Sequence, residues 1–256
     1  MRYAMQVQYI GKNYAGSQIQ LKDGVEIELP TIQGELEKAI STLISGDTAN
    51  NNRRFKTVFS GRTDRGVNSL GQTVHFDIDK PIVASKFVYQ LNEILPKDIS
   101  VSNLRLVDSQ FHAQKSARCR HYRYIFVNRK CKNAFDGDLM RVKFDINIER
   151  MQKALNYLIG EHDFSSFKSS GTLNPSTVCN IELAECKKTG DKVIIDIAGN
   201  RFLYNMVRAI VGTLLEIEGH NLPAEHMKQV LDACDRTKAG QTVSPYGLTL
   251  IEVTYN

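Results

Sequence analysis

Hydrophobic and polar residues alternate along Arg2–Ile10, and the apolar side chains fall on one side of a period-two pattern. This alternation predicts a β-strand. From Ile32 to Ile44 the apolar residues instead recur every three or four positions, which predicts an amphipathic helix. Thr31 is expected to cap the start of this helix, and Gly46 is expected to follow its end.

The same two periodicities recur along the rest of the chain. Further strands are predicted over residues 55–60, 73–78, 99–107, 119–127, 178–186, 192–198 and 248–255, and further helices over residues 85–95, 148–159, 202–217 and 223–233. Apart from the last helix, the order strand, helix, strand, strand, helix, strand occurs twice. The sequence therefore predicts an α+β protein of two ferredoxin-like (βαββαβ) halves, residues 1–110 and 111–256. Together they are expected to form a continuous, mostly antiparallel sheet with helices on one face.

The composition is that of a folded globular protein, since 42% of the 256 residues are hydrophobic and 24% are charged. No stretch approaches the roughly 18 consecutive apolar residues of a membrane span, and no signal peptide is recognisable. The net charge of +5 is compatible with a polyanionic partner but does not require one.

The cysteines and histidines argue against a disulfide framework or a metal centre. The five cysteines are odd in number and form no CxxC pair, which favours a reducing cytoplasm. The six histidines show no recognised metal-binding spacing, and no glycine-rich phosphate motif is present. We therefore expect no metal and no nucleotide cofactor.

Candidate chemistry first appears in residues 59–67, where Asp64 lies between Arg62 and Arg65 in a loop bounded by Gly61 and Gly66. Neighbouring guanidinium charge is expected to lower the pKa of Asp64 and keep the carboxylate ionised. Such a carboxylate suits nucleophilic attack or proton abstraction at a sugar. Taken alone, the loop also fits the commoner structural role, in which Asp64 closes a side-chain turn.

A second candidate is the predicted strand over residues 119–127, whose one face carries basic and aromatic side chains. In chain order, with the residue just before the strand, these are Arg118, Arg120, Tyr122 and Tyr124. Guanidinium groups can hold phosphates while a phenol ring lies against a base, which is the combination that an unstacked nucleotide needs. A strand with one solvated polar face would show the same pattern.

The helix predicted over residues 202–217 is apolar around most of its circumference and is therefore expected to be buried. Arg208 is the exception on this helix. A buried guanidinium is costly unless it meets a carboxylate. Asp64 is one candidate partner, and Glu216 and Asp196 are the alternatives.

Taken in order, short motifs along nearly the whole chain resemble the TruA family of tRNA pseudouridine synthases. In the first half they are Gly61-Arg62-Thr63-Asp64, Gly66-Val67, Gly71-Gln72, Val74-His75-Phe76, Leu95-Pro96 and Phe111-His112-Ala113. In the second half they are Arg120, Tyr122-Arg123-Tyr124, Gly160-Glu161-His162-Asp163-Phe164, Met206-Val207-Arg208, Ile210-Val211-Gly212 and Gly247-Leu248. Chance agreement at so many ordered sites is not expected.

The resemblance implies the pseudouridine synthase fold and the isomerisation of uridine to pseudouridine in the anticodon arm of tRNA. It implies that Asp64 is the catalytic carboxylate, that Tyr122 packs against the target uracil, and that Arg208 is the charge partner of Asp64. Leu248 would be the apolar contact beside the uracil. The family also implies a homodimer without a cofactor. The remaining candidate substrate-binding residues are Arg62, Arg65, Arg118 and Arg120.

The chain departs from the family pattern in its first loop and beside the candidate catalytic residue. Ile10 and Ser17 stand where the family usually has aspartate and tryptophan. Arg65 and Asn68 replace a usual alanine and histidine, and Gln114 stands where arginine is common. These differences bear on the RNA target, so the same reaction on another structured RNA, such as ribosomal RNA, is an alternative.

Two rival functions use the same residues differently. A non-catalytic RNA-binding module built on the same sheet would not need Asp64. A carboxylate-dependent nucleoside hydrolase would release free uracil, but such enzymes usually display clustered aspartates for a metal, and the sequence has no such cluster.

Overall fold

A computed structural model describes residues 1–22, 25–26, 29–45, 55–169 and 176–255. The chain divides into two compact units, which are Met1–Arg118 with Leu250–Asn256, and Cys119–Thr249. Gly46, predicted to follow the first helix, lies outside the described residues.

The elements follow one another in nearly the predicted order. The first unit contains β1 (Arg2–Tyr9), β2 (Leu21–Lys22), β3 (Val25–Glu26), α1 (Ile32–Ser45), β4 (Thr57–Phe59), β5 (Asn68–Asp77), α2 (Ala84–Ile94) and β6 (Ile99–Val107). The second contains β7 (Cys119–Asn128), β8 (Arg141–Val142), α3 (Ile148–Asn156), β9 (Gly160–Asp163), β10 (Val178–Thr189), β11 (Lys192–Gly199), α4 (Met206–Gly219) and α5 (His226–Ala233). The chain assigned to the second unit ends within β12 (Leu248–Thr254), and the rest of that strand belongs to the first.

The sheet of the first unit has the strand order of a ferredoxin-like half. β1 lies between β6 and β5 and is antiparallel to both. β4 and β12 also pair with β5. One side of β1 shares a single core with both helices, and representative members of this core are Met5, Val7, Leu36, Phe76 and Leu91. Because α1 and α2 bury the same core, both helices cover one face of this sheet.

The sheet of the second unit runs in the order β7, β11, β10, β9, and each neighbouring pair is antiparallel. β8 adds a short parallel pairing to β7. Side chains from both strands and helices are fully buried, among them Phe126, Met151, Ile195 and Leu214. The predicted α+β class with mostly antiparallel pairing is confirmed.

The start of α1 was predicted correctly, and the start of α4 was not. The Thr31 hydroxyl accepts a hydrogen bond from the Gly34 N–H at 3.1 Å, which confirms the predicted cap of α1. α4 does not begin at residue 202 as predicted, because Asn205 adopts a left-handed backbone (φ 61°) and the helix starts at Met206. In the described part of the chain, no helix combines the length and the apolar character that crossing a membrane requires.

The region after α3 was also predicted incorrectly. α3 ends at Asn156 rather than residue 159, because Tyr157, Leu158 and Ile159 bond to carbonyls only three residues back. Strand β9 follows directly and was not predicted. Its sequence is Gly-Glu-His-Asp, which has no apolar alternation, and it is held by pairing with β10.

His75 on β5 gives a pH-dependent contribution to stability. The side chain is buried, its Nδ1 accepts the Ala113 N–H at 3.1 Å, and burial, helped by the nearby Arg2 and His112, lowers the pKa of His75 to about 4. The unfolded chain, with a histidine pKa near 6.5, therefore binds this proton more readily than the folded protein does below that pH.

We expect the free energy of unfolding to fall by about 1–2 kcal/mol between pH 7 and pH 5 because of His75. In His75→Asn the amide oxygen can accept the same N–H without titrating, so this part of the pH dependence should disappear. Urea denaturation of both proteins at the two pH values measures the difference. An unchanged pH dependence in the variant would contradict the assignment.

Candidate active site

Asp64 lies in the loop between β4 and β5, and its side chain is half-buried. Its backbone forms an isolated antiparallel bridge with Gly16, and its carbonyl accepts the Val67 N–H at 3.1 Å. Gly66 adopts a positive φ of 82°, which allows the chain to turn tightly directly after Asp64 and Arg65. The backbone conformation therefore explains why glycine occupies position 66, at the C-terminal boundary of the loop.

Ser17 forms hydrogen bonds with both backbone groups of Thr63, the residue before Asp64. The Ser17 N–H donates to the Thr63 carbonyl at 3.0 Å, and the Ser17 Oγ accepts the Thr63 N–H at 2.8 Å. Ser17 is fully buried, so water cannot replace these bonds. The approach is close, since a Cβ on Gly16 would meet the Thr63 carbonyl oxygen at 2.9 Å. We call these contacts the Ser17 clamp.

A buried polar network supports the same loop from β1 and β5. The hydroxyl groups of Tyr9 and Thr63 share a hydrogen bond of 2.8 Å. The Gln72 amide donates to the Gly61 carbonyl at 2.9 Å and accepts from the Ser60 hydroxyl. Burial raises the pKa of Tyr9, which keeps its phenol protonated. The loop is therefore fixed at the residues on the N-terminal side of Asp64.

The two arginines that flank Asp64 in sequence, Arg62 and Arg65, both have exposed side chains. Long cationic side chains at the surface of a braced loop can reach a phosphate backbone. Arg62 and Arg65 remain predicted substrate contacts.

In the second unit, Tyr122 lies on β7 opposite Ile197 of β11, and its side chain is half-buried. The ring packs edge-on against Phe202, with 5.1 Å between the ring centroids. Phe202 precedes α4, and the Tyr122 ring therefore has an aromatic neighbour that restricts its orientation.

The other basic residues predicted beside Tyr122 are placed differently from one another. Arg118 is exposed, belongs to the first unit, and its N–H donates to the Thr254 carbonyl at 2.9 Å. Arg120 is half-buried, and its guanidinium donates to the Asn200 carbonyl at 2.7 Å. Arg120 thus lies beside the segment that leads to α4.

Arg208 lies in the first turn of α4 and is half-buried. Its Nε donates to the Val243 carbonyl at 2.7 Å, and its Nη1 donates to the Asn205 amide oxygen at 2.7 Å. Asn205 in turn donates to the Ser169 hydroxyl at 3.1 Å. The guanidinium is therefore held in a fixed direction by a backbone carbonyl and a side-chain amide.

Arg208 also helps to hold the segment that carries Leu248. One residue after Val243, the Ser244 carbonyl accepts the Tyr124 hydroxyl at 2.9 Å, and burial raises the pKa of Tyr124. A Cβ on Gly247 would meet the Ile125 carbonyl oxygen at 2.4 Å, so this segment packs directly on β7. Leu248 follows and is 5% exposed. Within the second unit, the structure thus links Arg208 and Leu248 to β7.

Asp196, one of the alternative partners considered for Arg208, has other neighbours. Its carboxylate accepts from Arg123 Nε at 2.8 Å and lies 2.7 Å from His121 Nε2. Burial alone would raise the pKa of Asp196, but these hydrogen bonds hold it below its ordinary value.

Among the described residues, no group of three or more His, Cys, Asp or Glu side chains is placed to hold a metal ion.

Sequence reasoning missed the residues that brace the site. Ser17 was noted only as a departure from the family, although it clamps Thr63. Asn205 carried a usable signal, since asparagine tolerates the left-handed conformation that precedes α4. Val243 and Tyr124 act through a backbone carbonyl and a distant hydroxyl, which have no local sequence signature.

Comparison with known proteins defines the class. Residues 154–256 match a family model described as tRNA pseudouridine synthase. Proteins named "tRNA pseudouridine synthase A" are similar over almost the full length. The one from Brevibacillus brevis is 39% identical and covers 96% of both chains, and the one from Thermoanaerobacter sp. strain X514 is 41% identical and covers 97% of both.

The Bacillus licheniformis protein of the same name is 39% identical and covers 100% of both chains. The chain belongs to the tRNA pseudouridine synthase A family. A solved structure titled "Crystal Structure of a Cbf5-Nop10-Gar1 Complex" contains a chain that is 9% identical, with a TM-score of 0.40 over 84% of this chain and 44% of that one.

Proposed function

We propose that this protein isomerises uridine to pseudouridine in the anticodon arm of tRNA, with Asp64 as the catalytic carboxylate. The observation that carries the proposal is the identity of about 40% over nearly the whole chain to proteins named tRNA pseudouridine synthase A. The fixed position of the loop that carries Asp64 supports it, because a positioned carboxylate is what chemistry at the ribose requires.

Asp64 acts on the ribose of a uridine that has left its stack. The carboxylate either attacks the anomeric carbon or removes a sugar proton, and both routes expel uracil. The freed uracil turns in place and rejoins the sugar through C5 instead of N1, and the step balances because C5 loses a proton and N1 gains one. Retaining the base during this step requires a pocket that excludes water.

Tyr122 and Leu248 hold the uracil, and Arg208 orients Asp64 through its charge. The packing of Tyr122 on Phe202 supports the role of Tyr122, because it restrains a half-buried aromatic ring on which a flat base can lie. Burial holds Leu248 in one position. Two hydrogen bonds fix the Arg208 guanidinium, which suits an orienting role. We propose that a half over residues 1–110 supplies the carboxylate and that a half over residues 111–256 supplies the other three.

The RNA is held by arginines around the site, and the candidates are Arg62, Arg65, Arg118 and Arg120. We propose that the protein works as a homodimer in the cytoplasm without a cofactor. The same isomerisation on ribosomal RNA is the alternative.

Incubation of the purified protein with a tRNA transcript tests the proposal. We expect uridine linked carbon to carbon in the anticodon arm, and no free uracil in solution. A matched transcript with cytidine at the anticodon-arm uridines should remain unmodified. Bound but unchanged RNA would indicate a non-catalytic binding module, and released uracil would indicate a hydrolase. Pseudouridine mapping across total RNA with and without the protein separates tRNA from ribosomal RNA.

Ser17→Ala tests whether the Ser17 clamp positions Asp64. Loss of Oγ leaves the buried Thr63 N–H without its acceptor, which costs about 1–3 kcal/mol of stability. We expect kcat to fall by about tenfold or more because the loop shifts, while KM for tRNA changes little. Ser100→Ala on β6, where the side chain is exposed, is the control. A wild-type kcat in Ser17→Ala would show that the clamp is only structural.

A further inference from the structure

Phe135 is the large hydrophobic side chain with the greatest exposure among the described residues, at 98%. It lies in a single 3₁₀ turn, Ala134–Asp136, in the connection between β7 and β8. A single exposed hydrophobic side chain is common on protein surfaces, so the turn that carries Phe135 and the charges around it decide what the ring can bind.

The turn that carries Phe135 is fixed rather than loose. The Asn133 side chain accepts the Phe135 N–H at 3.0 Å, and the Asp136 carboxylate accepts the Asn133 N–H at 3.2 Å, which completes a capping box. Arg129 binds the Asp136 carboxylate and also pairs with Asp191 at 2.8 Å. The ring is therefore presented on a preorganised turn, which lowers the entropic cost of binding with it.

The surroundings of Phe135 are strongly basic. Asn128, at the end of β7, connects this region to two other segments. Its N–H donates to the Asp191 carbonyl in the turn between β10 and β11, and its side chain accepts from Lys188. The same side chain donates to the Phe144 carbonyl just after β8. We call residues 128–145 and 187–192 together the basic edge. It holds eight lysines and arginines against four aspartates, a net charge of +4 in a chain of net charge +5.

Two of those four aspartates are already paired with Arg129, so the exposed part of the basic edge is dominated by lysines. Lys130, Lys132 and Lys143 all have exposed side chains. An apolar protein groove or a membrane interior would have to strip water from these charges beside the single ring. A nucleic acid instead offers phosphates for the lysines and a base for the ring.

We propose that the basic edge is a second RNA-binding surface, on which Phe135 stacks against an unpaired base of the substrate RNA while the lysines contact its phosphates. The inference rests on the proposed function, because it takes the same RNA as its ligand. The residues that make this contact belong to the second unit and differ from those proposed to act on the uridine. This contact also gives a reason for the two ion pairs of Arg129, which hold the turn that presents the ring.

Phe135→Ala tests the stacking contact with a full-length tRNA transcript as the probe. We expect the dissociation constant of the variant for the transcript and the KM for pseudouridine formation to rise about tenfold, since stacking on one base has an effect of that order. Phe135→Trp should restore binding, because a larger ring stacks at least as well. Tyr89→Ala on α2, where the ring is 66% exposed, is the matched control.

The double variant Lys130→Gln with Lys132→Gln tests the phosphate contacts. We expect the slope of log binding constant against log salt concentration to become shallower by roughly 0.7–0.9 for each lost contact. Lys153→Gln on α3, also exposed, should keep the wild-type slope.

Three results separate the possible outcomes. If wild-type protein forms no pseudouridine in the transcript, the proposed function fails. If it does, and Phe135→Ala binds and modifies the transcript like the wild type, the second RNA-binding surface is wrong. If Phe135→Ala changes the sedimentation mass without changing RNA affinity, the ring contacts another copy of the chain instead, which also overturns the inference.

Discussion

Asp64→Asn is expected to abolish pseudouridine formation, with kcat lowered on the order of 10⁴-fold or more, while the fold and RNA binding persist. Asparagine has nearly the same shape and can keep the backbone bridge to Gly16 and the bond from the Val67 N–H. It cannot act as a nucleophile or a base toward the ribose. Single-turnover formation of pseudouridine and the dissociation constant for tRNA, measured on the same preparation, separate the two effects.

Asp79→Asn is the matched control for this substitution, since Asp79 is exposed and lies in the segment just after β5. It should retain wild-type turnover. Near-normal turnover in Asp64→Asn would remove Asp64 from the reaction, and a loss of RNA binding equal to the loss of turnover would point to a binding role instead.

Arg208→Ala is expected to be both unstable and inactive. The substitution removes the charged donors to the Val243 carbonyl and the Asn205 amide, which costs about 3 kcal/mol in the free energy of unfolding. It also releases the segment that leads to Leu248 and removes the charge proposed to orient Asp64. Urea denaturation gives the stability loss, and turnover at a temperature where the variant remains folded gives the catalytic loss.

Arg208→Lys and Asn205→Gly separate the loss of stability from the loss of activity. The lysine variant keeps the positive charge but cannot make both hydrogen bonds at once, so it should recover part of the activity and little of the stability. Asn205→Gly keeps the left-handed backbone before α4 but removes the amide that bonds to the Arg208 guanidinium, and a smaller fall in kcat is expected. Wild-type activity in Arg208→Ala would contradict an orienting role.

The first unit shows how much of the fold the sequence determines. The strand predicted over residues 99–107 matches β6 at both ends, and α1 begins directly after its predicted Thr31 cap. These elements have one buried face and one exposed face, so their periodicity reports their structure directly.

The elements predicted incorrectly depend on contacts that periodicity does not record. Apolar residues continue the helical pattern back to Phe202, but the left-handed Asn205 separates them from α4. The polar strand β9 exists through its pairing with β10. In both places the backbone conformation is decided by a turn or a partner strand rather than by side-chain burial.

Asp64 was identifiable as a candidate because its signal is local, with arginines and glycines around one carboxylate. The Ser17 clamp was not, because Ser17 and Thr63 lie 46 residues apart and meet through hydrogen bonds that either residue type could make elsewhere. Arg208 stood out as a charge on an apolar helix, whereas its contact with the Val243 carbonyl follows only from the folded path of the chain.

β12 has a consequence for how the protein is made. Residues 250–255 complete the sheet of the first unit beside β5, where the Ser69 hydroxyl donates to the Leu250 carbonyl at 3.4 Å and the Gly71 backbone approaches Ile251. A ribosome translates these residues only after it has made all of the second unit. During elongation, the part of β5 that pairs with β12 therefore remains an unpaired strand edge. The first unit begins to be synthesised before the second but can be completed only after it.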